Sequence, residues 1–88
     1  MPVSPPSSLQ VCFFAAAREE AGVAEAMLSV SPSLDVETFL STLATQFPGL
    51  EAMLPRCGVA RNGEYVHGRS LSLSDGDEVA IIPPVSGG

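Results

Sequence analysis

The segment Asp35–Leu50, DVETFLSTLATQFPGL, decides the fold. Within it Val36, Phe39, Leu40, Leu43, Ala44 and Phe47 recur at i, i+3, i+4, i+7, i+8 and i+11, the stripe of an amphipathic helix. Asp35 is a suitable N-cap and Pro48-Gly49 a stop signal. A helix with one apolar face must bury it, and here the layer that can receive it is a sheet. Leu50–Leu54 offers a short helical turn before Pro55.

Strand signals lie on both sides of that helix. Upstream, Leu9–Ala15 (LQVCFFA) reads as a largely buried strand, Arg18–Ala24 breaks the pattern, and Ala26–Val30 (AMLSV) reads as a second strand. Ser31-Pro32-Ser33 ends it, because proline cannot donate to a ladder. Downstream, Gly58–Arg61 and Glu64–Val66 flank Asn62-Gly63, a dipeptide that takes positive φ readily and so favours a hairpin. Arg69–Leu73 follows, and the turn Asp75-Gly76-Asp77 leads into Glu78–Ile82 (EVAII), a final strand closed by Pro83. Two opening strands, a crossing helix and a closing strand able to pair with the first describe an α+β, ubiquitin-like β-grasp fold. Its sheet is expected to be mixed, with about four to five strands crossed by one main helix. The expected division is a disordered lead over 1–8, a domain over 9–82 and an extended tail over 83–88.

Composition narrows the function. A chain of 88 residues is one domain, with little room for a deep active site beside its core. The net charge is −6, and the only basic side chains are Arg18, Arg56, Arg61 and Arg69, which excludes the clustered cations that phosphate contact requires. No apolar run approaches a membrane span, and MPVSPPSS at the start is unlike a secretory signal, so a cytoplasmic protein is expected. Cys12 and Cys57 each lie in an apolar segment and are read as buried free thiols rather than a disulfide. His67 beside Gly68 has no positioned partner and is read as a surface residue. Glu19-Glu20 reads as a solvated loop and Asp75-Gly76-Asp77 as turn chemistry, so no metal site is expected.

The chemistry is expected at the end of the sequence, Pro83-Pro84-Val85-Ser86-Gly87-Gly88. Two prolines favour an extended path, so this stretch can reach roughly 20 Å beyond the sheet at about 3.3–3.6 Å per residue. Glycines without a Cβ pass through a narrow channel. An ionised α-carboxylate resists nucleophilic attack until it is activated. Attack on the α-phosphate of ATP gives an acyl-adenylate, and a sulfur nucleophile displacing AMP leaves a thiocarboxylate at Gly88. A Gly-Gly dipeptide alone is also a common frayed end. Its place directly after the EVAIIPPVS strand exit gives it more weight. The absence of lysine reflects either a bias towards arginine or a carrier with no side-chain amine to attack its own activated end.

CFFAAAREEAG from Cys12, QFPGL at Gln46–Leu50 and DGDEVAIIPPVSGG at Asp75–Gly88 resemble the small-subunit family of molybdopterin synthase, the ubiquitin-like sulfur carriers. The resemblance covers nearly everything after Ser8. It implies that an E1-like adenylyltransferase and sulfurtransferase consumes ATP to activate Gly88, which then becomes a thiocarboxylate. The carrier itself would hold no permanent cofactor and would not be catalytic alone. It further implies that the tail inserts into a large catalytic subunit, in a heterotetramer of two small and two large subunits. There the carrier donates sulfur for the dithiolene of molybdopterin, made from cyclic pyranopterin monophosphate. By the same resemblance Gly87 lets the tail thread, and Pro83, Pro84, Val85 and Ser86 enter the partner. An exposed apolar patch including Phe13, Val79 and Ile81 is expected to dock it. The alternatives are a sulfur carrier for thiamine, cysteine or transfer-RNA thiolation, a ubiquitin-like protein modifier, and a β-grasp interaction module without chemistry.

Overall fold

The computed structural model describes residues 6–84. Its elements in chain order are β1 (Ser7–Phe13), α1 (Ala15–Ala21), β2 (Glu25–Val30), β3 (Ser33–Asp35), α2 (Val36–Gln46), 3-10 turns at Pro48–Leu50 and Leu54–Arg56, β4 (Gly58–Arg61), β5 (Glu64–Tyr65), β6 (Ser70–Ser72) and β7 (Glu78–Ile82). Five strands form one sheet in the order β2-β1-β7-β4-β5, and β3 pairs with β6 in a separate two-stranded ribbon. The first and last strands run parallel at the centre, with Val11 beside Val79 and Phe13 beside Ile81. All the other pairings are antiparallel. This is the expected mixed β-grasp sheet crossed by α2.

The core lies between one face of the sheet and α2. Leu9, Val11, Phe13, Leu28, Val30, Val59, Val79 and Ile81 meet Phe39 and Leu43 of α2, with Leu50, Leu54, Leu71 and Leu73 closing the sides. The rings of Phe13 and Phe47 pack edge to face with centroids 5.2 Å apart, a favourable arrangement of aromatic quadrupoles. Asn62 and Gly63 both take positive φ, 49° and 87°, the backbone of the tight hairpin turn expected there. Asp35 precedes α2 in extended backbone without a side-chain capping bond. The first helical N–H, that of Val36, instead donates to the Arg69 carbonyl at 2.8 Å, so the ribbon next to the helix does the capping.

Three elements differ from the sequence reading. Arg18–Ala24, expected as a break, belongs largely to α1, which ends at Gly22 with φ 83°. Alanine-rich AAAREEA favours helix by propensity, but only Ala17 is buried, so no apolar stripe announces it. β3, which the sequence reading does not contain, begins at Ser33, the last residue of the expected terminator, and the Pro32 carbonyl just before it accepts from the Leu73 N–H at 2.7 Å. β1 begins at Ser7 rather than Leu9. Ser8 N–H donates to Asp75 Oδ1 at 2.7 Å, Gly76 N–H donates to the Ser8 carbonyl at 2.8 Å, and the Ser7 hydroxyl donates to the Leu73 carbonyl at 3.2 Å. Residues expected in the lead are thus held by the turn before β7.

Candidate functional site: the strand exit and the open sheet face

Successive residues of a strand point to opposite faces, so the pairing register fixes which side chains remain outside. Phe13, Val79 and Ile81, expected as an exposed patch, are 2%, 0% and 0% exposed and lie under α2. The patch is shifted by one residue. Phe14 and Tyr65 are 51% and 58% exposed. Between them in the sheet lie the half-buried Ile82 and Gly58, which pair with each other. Gly58 has a local reason to be glycine, because a Cβ there would stand 3.2 Å from Cε1 of the Tyr65 ring. Farther along the same face, Cys12 pairs with Ala80, Ala80 with Ala60 and Ala60 with Tyr65, a row of small residues in which Cys12 and Ala80 are half-buried and Ala60 is buried. Met27, 65% exposed on edge strand β2, completes this surface.

The polar residues of the two central strands carried this signal. Gln10 in β1 and Glu78 in β7 are adjacent across the ladder and point to solvent. Counting by twos from them turns Leu9, Val11, Phe13, Val79 and Ile81 inward and Cys12, Ala80 and Ile82 outward.

The chain leaves this surface at Pro83, half-buried, and Pro84, exposed. Phe14 N–H donates to the Ile81 carbonyl at 3.4 Å, which ties the exposed phenylalanine to the strand just before the exit. Val85, Ser86, Gly87 and Gly88, the residues expected to thread and to carry sulfur, lie outside the described residues.

Among the titratable groups of the described residues, Asp77 is the one most fully engaged in holding the fold. Asp77, at the start of β7, is buried. It accepts from Ser74 N–H at 2.8 Å, from Asn62 Nδ2 at 3.0 Å and from Arg61 Nε at 2.7 Å. These bonds favour the charged form, the Ser74 amide most, and bring its pKa down to about 2. The carboxylate thereby ties the β4–β5 turn to the beginning of the last strand. Burial, then the neighbouring Glu78 carboxylate, raises the Cys12 pKa, and its Sγ stands 3.6 Å from Glu78 Oε2. Burial raises that of Cys57 as well, and its thiol donates to the Met53 carbonyl at 3.4 Å. Both thiols are free and half-buried, as protonated groups rather than activated thiolates. His67 is exposed. Among the described residues no group of His, Cys, Asp and Glu has the arrangement of a metal site, and no helix is long and apolar enough to cross a membrane.

Comparison with known proteins identifies the family. The model of the ThiS family matches residues 11–88, a span that includes both the open face and the tail. The chain belongs to the ThiS family. This ThiS-family chain is 41% identical over 81 residues to the molybdopterin synthase sulfur carrier subunit of Chlamydomonas reinhardtii, covering 91% of the chain and 98% of that relative. Among solved structures it superposes on SAMP1 from Haloferax volcanii with a TM-score of 0.80 at 31% identity, covering 93% of this chain and 100% of the other. It also superposes, with a TM-score of 0.66 at 25% identity, on a chain in the complex of subunits 1 and 2 of the molybdopterin-converting factor from Helicobacter pylori. That match covers 92% of this ThiS-family chain and 99% of the other.

Proposed function

We propose that this protein is the sulfur carrier subunit of a molybdopterin synthase, with Gly88 as the sulfur-bearing residue. The observation that carries the proposal is an apolar collar, the exposed Phe14 and Tyr65 with the half-buried Ile82 between them, beside a strand exit that continues in sequence as Pro83-Pro84-Val85-Ser86-Gly87-Gly88. The family match reaching residue 88 supports it, as do the names of the relatives.

The chemistry divides between carrier and partners. An E1-like adenylyltransferase joins the Gly88 carboxylate to the α-phosphate of ATP and releases pyrophosphate. A sulfur nucleophile then attacks the acyl carbon and AMP leaves, so one carboxylate oxygen departs with AMP and sulfur takes its place. In the synthase, the thiocarboxylate sulfur bonds to a carbon of the pterin precursor as that carbon's bond to oxygen breaks, and water then cleaves the acyl–sulfur bond, leaving the sulfur on the precursor and returning the Gly88 carboxylate. Each dithiolene needs two sulfurs and therefore two loaded carriers. We place the catalytic side chains on the large subunit, in a heterotetramer of two small and two large subunits. The occupied Asp77 and the protonated thiols of Cys12 and Cys57 support that division. On this reading ATP is consumed on the activating enzyme, the carrier keeps no resident cofactor, and it works in the cytoplasm.

The open face docks the partners and the proline-led tail reaches into them. An apolar surface with aromatic anchors and small residues between them suits a protein interface. The test is reconstitution in two steps. With its activating enzyme, ATP and a sulfur source, the carrier should gain the mass difference between sulfur and oxygen. Adding the large subunit and cyclic pyranopterin monophosphate should then yield molybdopterin. If the first step works and the second does not, the protein is a sulfur carrier for another acceptor; conjugates to lysines of other proteins would instead mark a modifier.

A further inference from the structure

The junction between β1 and α1 turns on Ala15, an exposed alanine with φ 48°. A residue with a Cβ enters this left-handed region only at a cost, largest for β-branched side chains. Asn62, the other such non-glycine among the described residues, sits in a hairpin turn whose geometry demands positive φ. Ala15 follows an extended residue, Phe14 at φ −114° and ψ 150°, and opens a helix.

The residues on either side of Ala15 are fixed. Phe14 N–H is bonded to the Ile81 carbonyl at 3.4 Å, and the Phe14 carbonyl accepts from Ala17 N–H at 2.9 Å and from Arg18 N–H at 3.4 Å. Ala17 is wholly buried and seats the first turn of α1 in the core. The far end of the helix rests on Gly49, where a Cβ would stand 2.5 Å from the Glu20 carbonyl oxygen. Only Phe14 separates β1 from α1, and it is itself extended, so the change of chain direction falls on Ala15, the first residue of the helix. The Ala15 side chain points to solvent, so the residue contributes its backbone angle rather than packing.

We infer that Ala15 is a positioning residue whose left-handed backbone presents Phe14 beside the strand exit for docking of the large subunit. The inference rests on the docking-face reading above. A side chain that disfavours this angle lowers the fraction of molecules with Phe14 in place, and the apparent affinity falls by the same fraction.

The test compares the dissociation constants of the synthase large subunit from the same organism for the native carrier, Ala15→Gly, Ala15→Asn, Ala15→Val and Phe14→Ala. Glycine and asparagine tolerate the left-handed region, so these two variants should bind within about twofold of the native chain. Ala15→Val should bind about tenfold more weakly while its circular dichroism stays native. Equal affinity for the valine and glycine variants would overturn the inference, and so would an equal loss in the glycine and asparagine variants. Phe14→Ala separates the two levels. If it binds as tightly as the native chain, the docking-face reading fails; if it binds weakly while Ala15→Val does not, only the role of Ala15 fails. Should Ala15→Val not fold, Ala15→Leu takes its place, with about threefold weaker binding expected and affinity equal to Ala15→Asn contradicting the inference.

Discussion

The two faces of the sheet are built from alternate residues of the same strands and do opposite work. Phe13 and Phe14 are neighbours in sequence, yet one is 2% exposed against the Phe47 ring and the other 51% exposed beside the strand exit. Ile81 and Ile82 repeat the division, the first fully buried and the second half-buried. The face under α2 supplies the stability of a small domain, and the open face is left free for partners. On the function proposed above, in which the chain's end meets an activating enzyme and the synthase, the separation means that the side chains proposed to dock are not those that hold the fold.

The separation breaks most visibly when the inner member of each pair is truncated. Phe13→Ala removes a wholly enclosed ring and should cost about 3–5 kcal/mol of stability, read by denaturant unfolding. Phe14→Ala or Tyr65→Ala should leave the unfolding midpoint nearly unchanged. In a titration of the large subunit, each should weaken binding by about 2 kcal/mol, the loss typical of a buried aromatic anchor. A large stability loss in Phe14→Ala with native affinity would invert the assignment of faces.

Two further substitutions sharpen the comparison by testing contacts that hold the fold rather than the open face. Gly49→Ala drives a Cβ into the Glu20 carbonyl and should destabilise the protein by about 1–3 kcal/mol, since the obstacle is backbone and cannot rotate away. The smallest effect concerns Asp77. Its folded-state pKa lies below the ordinary carboxyl value of 3.8, so its contribution is complete above that value and is lost as the pH falls through about 2. Asp77→Asn should therefore be less stable than the native chain at neutral pH by about 1–2 kcal/mol, with the difference shrinking in acid. A constant difference from neutral pH down to 2 would contradict the role given to its charge.

Much of this architecture was legible in the sequence. The stripe from Val36 to Phe47, the Asn62-Gly63 turn and the β-branched EVAII run each carry a strong local signal, and together they yield the β-grasp order. α1 was not legible, because seven residues with only Ala17 buried show no periodicity. β3 is three residues long beside a proline and is held by its partner β6. The chemistry proposed for the tail rests on its residue types, and residues 85–88 lie outside the described residues. The exposed apolar patch lies one position from the expected Phe13, Val79 and Ile81, because hydrophobicity alone does not carry the register that Gln10 and Glu78 set. In a strand such a displacement exchanges the two faces completely.

The central claim is that the sulfur resides at the end of the chain and not on either cysteine. Fragment mass spectrometry of the carrier after reaction with its activating enzyme, ATP and a sulfur donor tests it directly. Replacement of one oxygen by sulfur is expected in the fragment ending at Gly88, with the peptides containing Cys12 and Cys57 unchanged. Sulfur added to either cysteine as a persulfide, with Gly88 still a carboxylate, would contradict it.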